Sequence, residues 1–394
     1  MRSAGAQASV EHDLAALPLV DHHCHGVTRS LPDRKAFENL IYEGFDPLPG
    51  GATHFDAPVG LALRRWCAPV IDLEPLASPE DYLARREQLG ASEVNGRFLK
   101  AAGLGAVLID SGYRSEELVD WKSMGALAEA PAGEVVRLEA VAEDVAAGGV
   151  DAAGYPDAFE QALHRRSEGA VGLKTIVAYR GGFGFDPSPP AREEVVRAAG
   201  NWLEAAKGAA PRLTDPVLLR FGIWAGADVA RRRGFPLQIH SGFGDPDLTM
   251  HLANPTLLTD LIKELGRLPV NVVFLHCYPY HREAGYMAAV FPHVHFDVGS
   301  ALNYLGPSAG GLMAEVLELA PFTKQLYSSD AFGLPELYYL GAVLFRRTLG
   351  GVLERWIADE ECSVADAGRI ARSIGRDNAL RVYPLVFDNS GPPH

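Results

Sequence analysis

The chain has few cysteines and no long apolar run. Its four cysteines, Cys24, Cys67, Cys277 and Cys362, show no paired C-x-x-C spacing, which argues against a zinc ribbon or a disulfide framework and for a reducing compartment. No stretch approaches the roughly 20 apolar residues of a membrane helix. The first 20 residues also lack the apolar core of a secretory signal. We therefore expect a soluble, cytoplasmic protein.

Positive charge is also scarce, because 36 Lys and Arg residues stand against 50 Asp and Glu residues, for a formal net charge of -14. Such a chain repels phosphate backbones and anionic lipid, so nucleic acids and membrane surfaces are poor candidate partners. A small-molecule substrate is the expected partner, and a homo-oligomer is compatible with the sequence.

Short β-branched runs alternate with helical patterns along the chain, which is typical of βα units and a parallel sheet. Eight strands close a (β/α)8 TIM barrel, whereas a doubly wound open sheet would show the same alternation. Polar residues recur where these runs end, which is the face where barrel enzymes assemble their active sites. We therefore predict an α/β fold, a TIM barrel forming a single domain over residues 1–394. The eight predicted strands are 16–23, 105–112, 134–141, 170–177, 235–242, 271–278, 293–300 and 324–331.

The connection between the first and second predicted strands is far longer than the few residues usual between a strand and its helix. Residues from about Ser78 to Ala101 are rich in helix formers. We predict a helical insertion at about residues 30–103 that caps the barrel mouth.

The stretch LVDHHCHGV, residues 19–27, places three histidines around one cysteine at the end of an apolar run. Because side chains alternate along a strand, we expect His23 and His25 to point one way and His22 and Cys24 to point the other way, toward the helices. Neutral imidazole is a common metal ligand, so the H-x-H pair can deliver two nitrogens to one ion. Each histidine taken alone is equally compatible with a backbone partner at a strand end.

Other polar residues at predicted strand ends strengthen the case for a metal. Three or four protein ligands with an open position for water are what a catalytic ion requires, and such an ion makes hydrolysis at neutral pH feasible. An acid at the eighth strand end can ligate the ion or accept a proton. The residues concerned are Lys174, His240, His276 and Asp330.

These motifs resemble the amidohydrolase superfamily, in particular the amidohydrolase-related family 2. The resemblance rests on V-D-x-H-x-H in the first strand, on histidines ending strands five and six, and on aspartate ending strand eight. The stretches GLKTIVAYR, LHCYPYHREAGYMAAVFP and LYSSDAFGLPELYYLGA look like the amidohydrolase domain that is fused, in some bacterial, plant and fungal proteins, to a glutamine synthetase-like module. The similarity runs from about Leu17 to Pro384.

The resemblance implies a site for one or two divalent ions, with Zn²⁺ favoured. His23, His25 and His240 would bind metal, and Asp330 would be both a ligand and the acceptor of a proton from the metal-activated water. His276 would polarise the substrate carbonyl or shuttle protons at a one-metal site, and would bind the second ion at a two-metal site. Lys174 would either bridge two ions as a carbamate or remain an ammonium that pairs with Asp330 or a substrate carboxylate.

Four residues that follow predicted strand ends are expected to contact substrate at the barrel mouth. A guanidinium holds a carboxylate in bidentate fashion, so either arginine among them can anchor an acidic substrate. Each of these arginines also fits an ordinary ion pair, Arg282 in particular. The four residues are Tyr113, Arg180, Arg282 and Glu336.

The implied function is an enzyme, a metal-dependent amidohydrolase that cleaves the C–N bond of a small, carboxylate-bearing substrate such as a γ-glutamyl amide. Asp330 and His276 would be its catalytic residues. Two alternatives remain open, a metal-dependent decarboxylase of the same superfamily and a non-catalytic scaffold or sensor barrel.

Overall fold

A computed structural model of the chain describes residues 13–46, 48–207 and 211–385. Within them, seven strands form one sheet in which all neighbours are parallel and the strand order follows the chain order. With helices in the crossovers, this arrangement is a half-barrel. The strands are β1 (Leu19–Cys24), β2 (Leu104–Asp110), β3 (Ala132–Arg137), β4 (Gly172–Thr175), β5 (Leu237–His240), β6 (Val272–Leu275) and β7 (Val294–Phe296).

The first seven predicted strands each overlap an observed strand, but the third prediction runs too far. Residues 138–141 were predicted as strand, and the structure places them in a helix that starts at Leu138. The sequence LEAVAEDVAA is rich in Ala and Glu, which favour helix, and Glu139 in the first turn suits the positive end of the helix dipole. The strand therefore ends at Arg137.

The eighth predicted strand, 324–331, is not a regular strand in the structure. Its backbone nevertheless lies beside both β7 and β1, because Leu326 N donates to Phe296 O (3.1 Å) and His22 N donates to Tyr327 O (3.3 Å). The irregularity has a cause in the side chains, since the carboxylate of Asp21 accepts hydrogen bonds from Ser329 N (3.0 Å) and Ser329 Oγ (2.5 Å). A closed eight-stranded barrel stays a prediction.

Helices cover the outer face of the sheet, and among the described residues none is long and apolar enough to cross a membrane. They are α1 (Arg34–Asn39), α2 (Pro58–Trp66), α3 (Pro79–Ala102), α4 (Trp121–Ala128), α5 (Leu138–Ala147), α6 (Tyr155–Arg166), α7 (Arg192–Ala205), α8 (Pro216–Arg233), α9 (Thr259–Leu265), α10 (His281–Val290), α11 (Gly299–Leu305), α12 (Ala309–Val316), α13 (Pro335–Ala358), α14 (Val364–Arg372) and α15 (Asn378–Val382).

The connection between β1 and β2 is helical, containing α1, α2 and α3. The long helix α3 begins where the sequence predicts, because the hydroxyl of Ser78 caps it by accepting a hydrogen bond from Asp81 N (3.1 Å). It kinks at Gly90, whose φ of 77° lies in the left-handed region that glycine adopts readily. Helix α3 packs against α13. That this region is an insertion capping the barrel mouth stays a prediction.

The apolar core has two parts, one on each face of the sheet. The larger part lies between strands and helices, and it contains Cys24, as expected, and Cys277. The smaller part lies inside the curved sheet, where Val20, Leu108 and Leu275 are among the residues that meet Tyr383, just after α15. The C-terminal helix thus fills the interior beneath the site.

His22 does not point toward the outer helices as predicted. Its Nδ1 lies 2.9 Å from the hydroxyl of Tyr383, and its Nε2 lies 3.0 Å from Asp297 Oδ2. The pairing of β1 with β2 is irregular between Asp21 and Cys24, so the strict alternation of side chains fails there. His22 therefore lies on the inner face.

Candidate metal centre

The six side chains predicted to bind metal lie at one end of the sheet, where the parallel strands finish. Histidines at this end come from β1 and from the ends of β5 and β6, the lysine comes from β4, and the aspartate comes from the segment that follows β7. All are buried except the aspartate side chain, which is 17% exposed. The six are His23, His25, Lys174, His240, His276 and Asp330.

Asp330 stands at the centre of three histidines. Its Oδ1 lies 3.3 Å from His23 Nε2 and 3.6 Å from His25 Nε2, and its Oδ2 lies 3.2 Å from His276 Nδ1. The ring of His240 extends the cluster, with its centroid 4.7 Å from that of His276. The structure therefore brings together all four histidines and the aspartate selected from the sequence.

A second carboxylate, Asp110 at the end of β2, also belongs to the cluster and was missed. Its Oδ2 lies 3.0 Å from Lys174 Nζ and 2.5 Å from Arg137 Nη2. Its backbone carbonyl accepts a hydrogen bond from His25 Nδ1 (3.2 Å), which leaves His25 Nε2 facing Asp330. Such a bond fixes the tautomer of a metal-binding imidazole.

Lys174 is buried between a histidine and a carboxylate. Its Nζ lies 2.9 Å from His23 Nε2 and 3.0 Å from Asp110 Oδ2. Burial lowers the pKa of Lys174, and the nearby charge of Arg137 acts in the same direction, whereas the charge of Asp110 opposes the shift. Asp330 was one expected ion-pair partner of the lysine, but the observed ion pair is with Asp110.

The ring nitrogens in this cluster indicate whether the site suits a metal ion. His23 Nδ1, His240 Nε2 and His276 Nδ1 are buried, and none makes a hydrogen bond with a described residue, because the 3.2 Å contact of His276 Nδ1 with Asp330 Oδ2 lacks hydrogen-bond geometry. A buried nitrogen without a partner is costly unless something else satisfies it. Two overlapping triplets of ligand atoms lie within 4.8 Å of one another, His23/His276/Asp330 and His23/His25/Asp110. Imidazole nitrogens and carboxylate oxygens are a suitable donor set for zinc and similar cations, so these residues fit a divalent ion.

Electrostatics keeps the donors in the forms that bind cations. Burial lowers the pKa of His23, His240 and His276, so these imidazoles are neutral. Burial alone would raise the pKa of Asp330, but His276, His23 and His25 together hold it well below its usual range. The cluster therefore combines neutral nitrogens with an ionised carboxylate.

Two of these residues adopt strained backbone conformations. His276 has φ of 60° and Asp330 has φ of 49°, in the left-handed region that is rare for residues other than glycine. Asp297, at the end of β7, stabilises the first of these by accepting a hydrogen bond from His276 N (3.1 Å). Asp330 N in turn donates to His23 O (3.1 Å). Strain held in this way clusters at functional sites.

A cavity of about 940 Å³ opens above the cluster and reaches His25, Lys174, His240, His276 and Asp330. Two of the four predicted substrate contacts, Tyr113 and Arg180, line it. Arg282 and Glu336 do not line it.

Arg282 lies on the surface rather than in the cavity. Its Nε and Nη2 donate to the two carboxylate oxygens of Glu318 at 2.9 and 3.0 Å, and Nη2 also lies 3.3 Å from Glu315. Helix α10 carries Arg282 away from the strand end, so the proximity in sequence to His276 does not bring it to the site.

Glu336 is fully buried and already paired. Its Oε1 accepts hydrogen bonds from Arg86 Nε (2.5 Å) and Tyr82 OH (3.2 Å), both on α3. It therefore joins α3 to α13 beside the cavity rather than facing a substrate.

Arg180 is buried in the cavity wall, and part of its guanidinium group has no hydrogen-bond partner among the described residues. Its side chain is 8% exposed, its Nη2 lies 3.0 Å from Glu143 Oε1, and its Nε and Nη1 are buried without a hydrogen-bond partner among the described residues. Two guanidinium donors therefore remain available.

Three site residues were missed, and only two gave a signal in the sequence. Asp110 and Asp297 lie near the C-terminal ends of predicted strands two and seven, which is the positional rule that selected Asp330. Glu43, which also lines the cavity, lies in a loop after α1 where no pattern marks it. His251, His281, His293 and His295 do not line the cavity.

Comparison with known proteins agrees with this geometry. The family model for amidohydrolases matches residues 114–385. Protein fluG of Emericella nidulans is 27% identical over 423 residues, an alignment that covers 98% of this chain and 47% of that protein. The chain thus spans about half the length of this curated relative.

Solved structures show the same architecture. A protein of Lactobacillus casei, described as a candidate metal-dependent hydrolase, has a TM-score of 0.83 and 29% identity, with 95% of this chain and 96% of that chain covered. Glucuronate isomerase of Caulobacter crescentus has a TM-score of 0.64 at 12% identity, with 98% and 95% covered. Uronate isomerase of Thermotoga maritima has 0.62 at 12%, with 96% and 97% covered. The two isomerases show likeness of fold alone.

Proposed function

The chain belongs to the amidohydrolase family, and on that premise we propose that it is a metal-dependent hydrolase acting on the C–N bond of a small, carboxylate-bearing amide. One observation carries the proposal. Buried histidine nitrogens from three separate strand regions, without hydrogen-bond partners, converge with the ionised carboxylate of Asp330 at the base of a cavity.

His23, His25, His240 and Asp330 would hold the ion, with Zn²⁺ the favoured metal. When bound, a divalent ion supplies Lewis acidity and lowers the pKa of water to roughly 7. The overlap of two ligand triplets at His23 is compatible with one ion or two. Asp110 joins this set as a candidate ligand through its place in the second triplet.

Asp330 is the group we assign to accept a proton from the attacking water and return it to the leaving nitrogen. Its ionised form is stabilised by His23 and His276, yet its side chain keeps 17% of its surface exposed toward the cavity. His276 would either donate a hydrogen bond to the substrate carbonyl as charge develops on its oxygen or serve as a ligand of a second ion.

Lys174 has two proposed roles that the contacts support to different degrees. The ion pair with Asp110 supports an ammonium that neutralises this carboxylate. The lowering of its pKa by burial supports the alternative, a neutral amine able to react with CO₂ and form a bridging carbamate. A ¹³C NMR spectrum of protein incubated with metal and labelled bicarbonate separates them, because only the second role gives a carbamate signal.

Arg180 is the proposed anchor for the substrate carboxylate, because its Nε and Nη1 have no hydrogen-bond partner and either can donate a charged hydrogen bond to a carboxylate oxygen. A γ-glutamyl amide is the substrate we name, since it combines a carboxylate with a hydrolysable amide and agrees with the resemblance to barrels fused to glutamine synthetase-like modules.

We also propose that segment 324–331 closes the sheet into a barrel by bridging β7 and β1.

The test combines metal analysis with turnover of L-γ-glutamyl-p-nitroanilide. We expect tightly bound divalent metal, release of p-nitroaniline, and incorporation of one ¹⁸O atom from labelled water into the carboxylate product. Release of CO₂ without ¹⁸O incorporation would identify the decarboxylase alternative. Absence of both metal and turnover would identify the scaffold alternative.

The decisive variant is Asp330→Asn, which keeps the shape of the side chain and removes its ability to carry a proton. We expect turnover to fall by at least about 10²-fold, in line with loss of a general base, while thermal stability stays measurable. Asp144→Asn on the exposed face of α5 is the matched control and should leave turnover unchanged. Activity retained in Asp330→Asn would overturn this mechanism.

A further inference from the structure

The cavity above the metal centre carries charges of both signs, and they act on different groups. The charges that act on the carboxylate of Glu43 are those of Asp330 and Asp245. The charges that act on Arg180 come from Glu143, Glu139 and two further arginines, Arg137 and Arg212. The charges around Glu43 are therefore acidic, whereas those around Arg180 are of both signs.

Glu43 is a carboxylate without a cation. Among the described residues its one side-chain partner is Tyr304, whose hydroxyl donates a hydrogen bond to Oε1 (2.8 Å). Tyr304 is held in place by Phe243, with ring centroids 5.1 Å apart. Burial, together with the charges of Asp330 and Asp245, raises the pKa of Glu43 to about 7. A positive group of a ligand would relieve this electrostatic cost.

Arg180 is a cation whose hydrogen-bond donors are partly unsatisfied. Its side chain is more than nine-tenths buried, and Nε and Nη1 have no hydrogen-bond partner among the described residues. An unsatisfied buried donor in a cavity wall points to an acceptor on a ligand. The carboxylate of Glu43, which has no cationic partner among the described residues, and the guanidinium of Arg180, which has two unsatisfied donors, thus line the same cavity.

We propose that the cavity selects amides that carry an ammonium group as well as a carboxylate, and that Glu43, oriented by Tyr304, binds the ammonium. This inference rests on the proposed function, which assigns the carboxylate to Arg180. It adds a specificity-determining residue to that function, because it assigns the ammonium group of a zwitterionic amide, such as an L-γ-glutamyl amide, to Glu43.

A kinetic comparison of two anilides tests the assignment. L-γ-Glutamyl-p-nitroanilide and glutaryl-p-nitroanilide differ only in the amino group. We expect the unchanged protein to prefer the first by about 10- to 100-fold in kcat/KM, the usual range for a charged hydrogen bond. Glu43→Gln should remove this preference, mainly by raising KM for the γ-glutamyl compound, and leave the glutaryl compound within about twofold. Glu74→Gln, an exposed change outside the cavity, is the matched control.

Other outcomes overturn the assignment. Equal turnover of both anilides by the unchanged protein would show that no ammonium subsite exists, whatever the variant does. An equal fall in kcat for both anilides in Glu43→Gln would show that Glu43 acts on the reacting bond rather than on the amino group.

Binding measurements keep the inference testable if neither anilide is hydrolysed, which would count against the proposed function alone. Isothermal titration of the metal-loaded protein with L-glutamate and with glutarate isolates the effect of the amino group. We expect L-glutamate to bind about tenfold or more tightly than glutarate, and Glu43→Gln to equalise them. Equal affinities in the unchanged protein would overturn the assignment.

Discussion

Two arginines that look alike in the sequence differ in what their guanidinium groups contact. Arg180 and Arg282 each follow a predicted strand end by a few residues. Arg282 satisfies its donors with Glu318 at the surface, whereas Arg180 is buried and leaves two nitrogens without a partner. Only the second arrangement leaves binding capacity for a carboxylate.

Replacing each arginine by methionine separates the two roles. Arg180→Met should raise KM for L-γ-glutamyl-p-nitroanilide by about 10- to 100-fold, since a charged hydrogen bond to the substrate carboxylate is lost. Arg282→Met is the matched control and should leave KM unchanged, because exposed ion pairs contribute little. Steady-state kinetics at constant metal content measures both. A KM that rises only in Arg282→Met would show that Arg282, and not Arg180, binds the substrate carboxylate.

Beneath the metal centre, Tyr383 has a buried hydroxyl with two partners. It accepts a hydrogen bond from Gln238 Nε2 (2.8 Å) and lies 2.9 Å from His22 Nδ1. Tyr327 is equally buried, but its hydroxyl has no hydrogen-bond partner among the described residues. These two tyrosines therefore form a natural pair for measuring what the polar network contributes.

Tyr383→Phe should lower the free energy of unfolding by about 1 to 3 kcal/mol, because it leaves buried partners unsatisfied. Tyr327→Phe removes a hydroxyl that satisfies nothing and should be neutral or stabilising. Urea unfolding monitored by circular dichroism gives both values. Equal effects in the two variants would mean that the network around His22 does not stabilise the fold.

The site residues that could be predicted from the sequence were those recognisable from their residue type and their position at the end of a strand. Histidines and an aspartate at strand ends could be selected, because parallel strands deliver their C-terminal residues to one edge. Asp110 obeys the same rule and was overlooked. Glu43 could not be found this way, since its place in the cavity depends on how the chain after α1 folds back over the sheet.

At the scale of elements, periodic patterns located strands well and their ends poorly. Seven predicted strands overlap observed ones, but the third prediction continued into α5, since LEAV has the apolar character of both a strand and a helix start. The segment 324–331 shows a different limit. Ser329 in this segment donates a hydrogen bond to Asp21 of the neighbouring strand β1, and this contact between residues far apart in the sequence is not revealed by any local pattern.

The contact between α3 and α13 depends on a buried ion pair that sequence analysis interpreted as a substrate contact. Arg86 and Glu336 have side chains 2% and 0% exposed. Glu336→Gln should therefore destabilise the protein by about 3 to 5 kcal/mol, because Arg86 is left as a buried charge without an anion. It should leave KM unchanged. Urea unfolding and steady-state kinetics on the same sample measure the two effects.

The double variant Arg86→Met with Glu336→Leu is the control for this pair. Apolar replacement of both partners removes the unpaired charge, so most of the lost stability should return. A raised KM in Glu336→Gln with unchanged stability would instead support the contact with substrate expected from the sequence.

At the scale of the whole molecule, polarity is divided between the two ends of the sheet. The N-terminal end is filled by apolar side chains and by Tyr383 after α15. The C-terminal end holds the histidine cluster and the cavity with its charged wall. This division is what a barrel-type active site requires, and it means that charges at one end can be changed while the core at the other end stays intact.

The charge of Glu43 should make the stability of the whole protein depend on pH in a defined window. Its pKa is about 7 in the folded protein and 4.5 as the ordinary value. The folded state therefore binds more protons between these values, so the contribution of Glu43 to stability falls as the pH rises from about 4.5 to about 7. At pH 8 the ionised carboxylate is destabilising, and at pH 4.5 it has little effect.

Glu43→Gln removes this titration, so its effect on stability should change with pH. Relative to the unchanged protein, we expect a difference in the free energy of unfolding near zero at pH 4.5 and a gain on the order of 1 to 3 kcal/mol at pH 8. Urea unfolding of both proteins at matched metal content gives the difference, and Glu74→Gln should show none at either pH. A gain that is the same at both pH values would mean that Glu43 titrates normally, and the electrostatic argument for a bound ammonium would lose its support while the hydrogen bond from Tyr304 would remain.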